Sequence, residues 1–175
     1  MSGYVFTLLI TRKYGAQVLG IFTLVVTILN VFVVIGRLGL DTALLKFIAE
    51  FASQNKSDSI KETYMHALRL IIPSSILISL MLYLLSPYIA DYVFNKPYLR
   101  PYFKMISFAI LPMVVIHINS ESLRALKEIK YYAFLQDLAI SLFASIILAV
   151  SLLFLPGVRA PFIAYITSII GVSIL

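Results

Sequence analysis

The feature that most constrains this chain is the spacing of its long uncharged runs. Asp, Glu, Lys and Arg are absent from Tyr14 to Gly36, from Leu70 to Ala90, from Met105 to Ser120, from Leu138 to Val158, and from Ala160 to the end. Crossing the hydrocarbon of a bilayer takes roughly 20 helical residues, with a range near 17–25. The Met105 run sits at the short limit of that range. Lipid offers backbone amides no water to bond, so such runs must be helices or closed barrels. Continuous rather than alternating apolarity selects helices. The expected architecture is all-α: a polytopic transmembrane bundle of about five complete or near-complete spans. A first helix, truncated at its start, adds to these.

Composition agrees. Apolar residues make up 61% of the chain and charged residues 13%, about half the share in a soluble domain. Polar surface is therefore too scarce for solubility. With no Cys and two His, disulfides, thiol catalysis and a metal centre are all poor readings. No cofactor is expected. The net charge of +6 is spread over loops. It suits anionic lipids rather than nucleic acid.

Met1 to Thr11 is apolar but stops at Arg12 and Lys13, too short to span at about 1.5 Å per residue. It reads as the end of a truncated helix, and Ala160–Leu175 also stops without a polar cap. The whole chain, 1–175, reads as one transmembrane domain cut from something longer. Tyr14-Gly15 is a turn, and a helix follows from about Gln17 to Gly36. Asp41 is placed to cap the next element. There, residues 41–62 read as an amphipathic cytoplasmic hairpin with Leu44, Leu45, Ile48 and Phe51 on one face. Ser59-Ile60-Lys61-Glu62 has the form of a capping box. The third helix runs through Pro73 to about Ser86, where Ser86-Pro87 ends or kinks it. The fourth carries Pro112, a fifth covers about Tyr131 to Leu155, Pro156-Gly157 turns, and Pro161 starts the last.

Loop cations number eight on the side of Arg37, Lys46, Lys56, Lys61, Arg69, Arg124, Lys127 and Lys130. The other side has six: Arg12, Lys13, Lys96, Arg100, Lys104 and Arg159. The positive-inside rule places the first set in the cytoplasm by a narrow margin.

Several polar residues carry two readings. Arg37, between two glycines near Asp41, is a snorkelling anchor or an anion contact at a cavity mouth. Asn30, mid-helix, bonds a neighbouring helix or lines a cavity. Arg12, with Lys13, is a loop anchor or an entrance cation. His117 and Glu121 share a helix face, as a solvated helix end or a proton-coupled pair. Asp137 suits the start of a helix. Tyr88, Tyr92, Tyr98, Tyr102, Tyr131 and Tyr132 fall at helix ends, as an aromatic belt does.

Enzyme chemistry has little to stand on. There is no phosphate-cradling Gly-rich loop and no Gly-x-Ser-x-Gly elbow. The polar loops are too short for a glycosyltransferase site. The expectation is a non-enzymatic protein.

Tyr14-Gly15, Leu19-Gly20-Ile21-Phe22, Gly36-Arg37-Leu38-Gly39-Leu40-Asp41-Thr42-Ala43-Leu44 and Phe47-Ile48-Ala49-Glu50 resemble the first half of a polysaccharide flippase. Leu111-Pro112 and Ser122-Leu123-Arg124-Ala125-Leu126-Lys127 resemble that family's fourth helix and the loop after it. The family is the O-antigen/polysaccharide branch of the multidrug/oligosaccharidyl-lipid/polysaccharide exporter superfamily. The resemblance implies the N-terminal bundle of a two-bundle transporter in the cytoplasmic (plasma) membrane. It implies translocation of a polyprenyl-pyrophosphate-linked oligosaccharide by alternating access. A C-terminal bundle or a second copy would complete the path. On that reading Arg37, Asn30, Arg12, Arg124, His117 and Glu121 are candidate substrate contacts, Arg being suited to pyrophosphate. The alternatives are a drug/cation antiporter of the same superfamily, for which no mid-membrane carboxylate is visible, and a non-transporting membrane assembly protein.

Overall fold

The computed structural model describes residues 2–154 and 157–174, with the side chains of residues 2, 137 and 152–154 outside the described set. Its elements are helical: α1 (Ser2–Arg37), α2 (Leu40–Ser53), α3 (Ser57–Tyr88), α4 (Arg100–Ser107), α5 (Ile110–Ala125), α6 (Ile129–Ala133), α7 (Ile140–Phe154) and α8 (Ala160–Ser173). A π-turn (Ile89–Val93) prolongs α3, and another (Phe134–Ala139) joins α6 to α7. There is no strand among the described residues. The all-α bundle is as the uncharged runs require.

The spans are fewer than expected. Gly3–Arg37, Ser57–Val93 and Ile129–Ser151 are long and apolar enough to cross a membrane, and a fourth span results if Pro97–Ser107 and Ile110–Ala125 count as one. The last helix, α8, has only 14 residues, or about 21 Å, short of the roughly 30 Å hydrocarbon core.

Continuous as it looks, α1 is two helices. Gly15 has φ 85° and ψ 168°, a region open essentially to glycine alone. The Phe6 and Phe22 rings lie 5.3 Å apart, whereas 16 residues of unbroken helix would separate them by about 24 Å. The chain therefore folds back at Gly15, as the Tyr14-Gly15 turn anticipates. The leg 2–14 then packs into an aromatic cluster in which Phe22 also meets Phe162 and Tyr165 of α8. The leg 16–37 buries Val18, Phe22, Val25, Leu29 and Val33, a 3–4 spacing that forms a single seam.

The fourth segment is broken where proline demands it. Between α4 and α5 the axis turns by 49° at Phe108–Ala109. Pro112 has no N–H, and its ring clashes with the carbonyl four residues back, that of Phe108. Next to the break, the Ser107 carbonyl accepts a 2.7 Å hydrogen bond from the Ser79 hydroxyl of α3. A neighbouring serine is one means by which membrane helices satisfy carbonyls at such breaks. By contrast α3 continues through Pro73 and Pro87, so Ser86-Pro87 does not end it; the chain leaves the helix through the Ile89–Val93 turn.

Two expected caps do not form. Asp41 is not the cap of α2: Gly39, at φ 72°, takes that place without a side-chain bond, and Asp41 falls in the first turn, where the dipole still favours a carboxylate. Helix α3 starts at Ser57, ahead of the Ser59 box, and has no side-chain cap. Leu44 and Ile48 of α2 are buried where it packs on α3 and α5, as its apolar face predicts. The backbone of Leu155 and Pro156 and the side chain of Asp137 lie outside the described residues.

Candidate substrate-binding site

The polar centre of the molecule gathers where α1 ends. A Cβ on Gly36 would stand 3.4 Å from Val114 of α5, so α1 and α5 approach closely there. The Gly36 carbonyl accepts a 3.1 Å bond from the Ser74 hydroxyl of α3. The chain then turns through two left-handed residues, Leu38 (φ 52°) and Gly39 (φ 72°). For Leu38 that conformation costs about 1–2 kcal/mol. The turn sets Arg37 and Asp41 against each other at 2.9 Å between Nη1 and Oδ2.

This pair is sheltered, with side chains 19% and 21% exposed. The Arg37 Nε is buried without a partner among the described residues. His117 stands one turn after Val114 on α5, on the side that α1 approaches at Gly36. Two residues further, on another face of α5, Asn119 accepts at Oδ1 a 2.6 Å hydrogen bond from the Tyr64 hydroxyl of α3. The Arg37–Asp41 pair thus joins α1 to α2, and the Tyr64–Asn119 bond separately ties α3 to α5. Tyr64 has no special mark in the sequence; only its register opposite Asn119 reveals it.

The other sequence candidates lie elsewhere. Glu121 pairs with Arg124 at 3.4 Å, and the Arg124 guanidinium stands 5.5 Å from the Tyr132 ring centroid. No His117–Glu121 ion pair forms among the described residues. Arg12 is exposed in the leg 2–14, near the Gly15 turn and away from Arg37. Asn30 is exposed on α1 and, among the described residues, makes no side-chain bond to a neighbouring helix. The six candidates therefore do not form one site. Arg37 and His117 lie by the close approach of α1 and α5 at Gly36, Arg124 and Glu121 flank another helix end, and Asn30 and Arg12 stand alone.

The exposed faces of the two longest helices differ. From α3 emerge Leu70, Ile72, Ile76, Leu77, Leu80, Met81 and Leu84, as contact with lipid requires. From the leg 16–37 of α1 emerge Gly20, Thr23, Thr27 and Asn30, whose spacing of three, four and three places them on one stripe; between Asn30 and Arg37 the exposed residues are Val31, Val34 and Ile35. The threonine hydroxyls donate to the carbonyls of Leu19 and Thr23 at 3.0 and 2.9 Å, a self-contained arrangement common in membrane helices. The Asn30 amide makes no such bond among the described residues.

Apolar membrane-length helices with a sheltered Arg37–Asp41 ion pair define a helical membrane protein. Residues 1–175 match the family model described as polysaccharide biosynthesis protein. The chain belongs to the polysaccharide biosynthesis protein family, and its role lies in polysaccharide synthesis or export. No curated protein and no solved structure matches the chain.

Proposed function

We propose that the chain forms one half of a transporter that moves a polyprenyl-pyrophosphate-linked oligosaccharide across the cytoplasmic membrane by alternating access, with Arg37 toward the cytoplasm. A head group carrying sugars and two phosphates needs a wet, hydrogen-bonding path, while its polyprenyl tail stays in lipid. No covalent bond is made or broken, so the reading is a transporter and not an enzyme. A C-terminal bundle or a second copy would cover the α1 stripe, and rocking of one half on the other would open it alternately to each side.

The observation that carries this reading is Asn30, an amide exposed at mid-helix that makes no side-chain hydrogen bond among the described residues. Unpartnered polar groups are expensive in hydrocarbon and face cavities or other protein. Arg37 supports it as a sheltered cation seven residues beyond Asn30, with the excess of loop cations on the same side.

The test is cysteine accessibility in the full-length protein, since this chain brings no cysteine of its own. Asn30→Cys should react with a membrane-impermeant maleimide, and Leu80→Cys on the lipid face of α3 should not. Equal inertness at both positions would remove the water path and leave Asn30 as a helix-packing residue, as in an assembly protein.

A further inference from the structure

The α1 stripe has a second end. At Gln17, Gly20 and Ile21 it meets the loop before α4, where Lys96, Tyr98 and Leu99 close a cleft of about 300 Å³. That volume is at the lower end for small-ligand pockets, about 300–1,000 Å³, and suits one sugar unit rather than a chain. From Gln17 to Arg37 is 20 helical residues, or about 30 Å. The cleft and the Arg37 centre thus stand at opposite faces of a bilayer.

Its chemistry is that of a saccharide phosphate site. Tyr98 is 49% exposed and offers an aromatic face for the C–H side of a pyranose. Gln17 supplies an amide with both donors and acceptors for sugar hydroxyls. The Lys96 ammonium is a compact charge for a phosphate. Among the described residues, Arg100 in the neighbouring helix is held by Asp91, while Lys96 enters no ion pair. Gly20 keeps the wall flat: a Cβ there meets nothing within 4 Å.

We propose that this cleft is a second binding site, for the sugar-phosphate part of the translocated molecule, on the face opposite Arg37. The proposal rests on the translocation reading, and the stripe Gly20–Thr23–Thr27–Asn30 runs from the cleft toward Arg37, which lies seven residues beyond Asn30. A substrate released from Arg37 would be received at Lys96.

The experiment places a single cysteine at Gly20 of the full-length protein and follows its modification by maleimide, with glucose 1-phosphate as the probe. At about ten times its Kd the probe should slow labelling about tenfold, and Lys96→Gln should abolish the protection. Free glucose and inorganic phosphate should each protect less. Absence of protection, protection unchanged in Lys96→Gln, protection by phosphate alone to the same extent, or protection only by phosphatidylglycerol would each overturn the site. Gly20→Leu fills the cleft in a helix that tolerates a side chain there, and should abolish surface polysaccharide at normal expression; unchanged polysaccharide would also overturn it. Arg37→Ala is measured in parallel. Loss of polysaccharide in Arg37→Ala without cleft protection defeats the cleft and spares the translocation reading. Cleft protection with an Asn30→Cys that is inert to the impermeant maleimide defeats translocation and spares the binding site.

Discussion

Replacing Arg37 by Ala should separate anchoring from substrate contact. The pair with Asp41 has an N···O distance of 2.9 Å and side chains about four-fifths buried. Fully exposed pairs contribute about 0–1 kcal/mol, and breaking a fully buried pair costs about 3–5 kcal/mol because one charge is left without compensation. A pair this sheltered falls between them, so Arg37→Ala should cost about 2 kcal/mol, including the packing of the arginine stem. Asp41→Ala should cost about 1–2 kcal/mol, and the double variant less than the sum, with a coupling of about 1 kcal/mol. Thermal unfolding of the purified full-length protein in detergent reads these values, and surface polysaccharide in cells reads function. If Arg37 contacts the pyrophosphate, polysaccharide falls in Arg37→Ala and in the double variant even at normal expression. Asp41→Ala, which keeps the guanidinium, lowers it less. A double variant that regains both stability and polysaccharide would refute the substrate role and leave a structural pair. Coupling within about 0.3 kcal/mol of zero would refute the energetic argument as well.

Three further substitutions probe the frame around the site. Gly15→Ala forces a side chain into φ 85°, ψ 168° and should destabilise by about 1–3 kcal/mol; Gly171→Ala, in α8 with open space around its Cβ position, should be neutral or slightly stabilising, and equal melting of the two would dismiss the fold-back at Gly15. Tyr64→Phe removes the donor to Asn119 and should cost about 1–3 kcal/mol in thermal unfolding, with no loss refuting the α3–α5 bond. Pro112→Ala should restore the α-helical ladder across Phe108–Ala109 and reduce the 49° bend, seen as a longer distance between spin labels on α4 and α5; an unchanged distance would show that tertiary packing, not proline, holds the bend.

What the sequence by itself determined is what lipid dictates residue by residue. Uncharged runs gave helices and membrane residence, because backbone groups in hydrocarbon have no other partners. Gly15 gave a turn and residues 44–51 an amphipathic face by the same local logic. Whether a run is straight was less legible: Pro73 passes within α3 and Pro112 breaks the α4–α5 span, and the sequence marks them alike. Whether a cap forms depends on where the preceding turn delivers the chain, and Leu38–Gly39 delivered Asp41 to Arg37 rather than to the helix end. Only the tertiary structure decided which polar residues meet. His117 and Glu121 share a helix face in the sequence, yet Glu121 pairs with Arg124, while Gly36 of α1 packs on α5 at Val114, one turn before His117. Tyr64 with Asn119, and Lys96 with Gln17, are 55 and 79 residues apart in the chain. Helical periodicity tells which face a residue occupies but not what that face meets, because contact between helices is set by bends, crossings and close approaches that no local pattern contains.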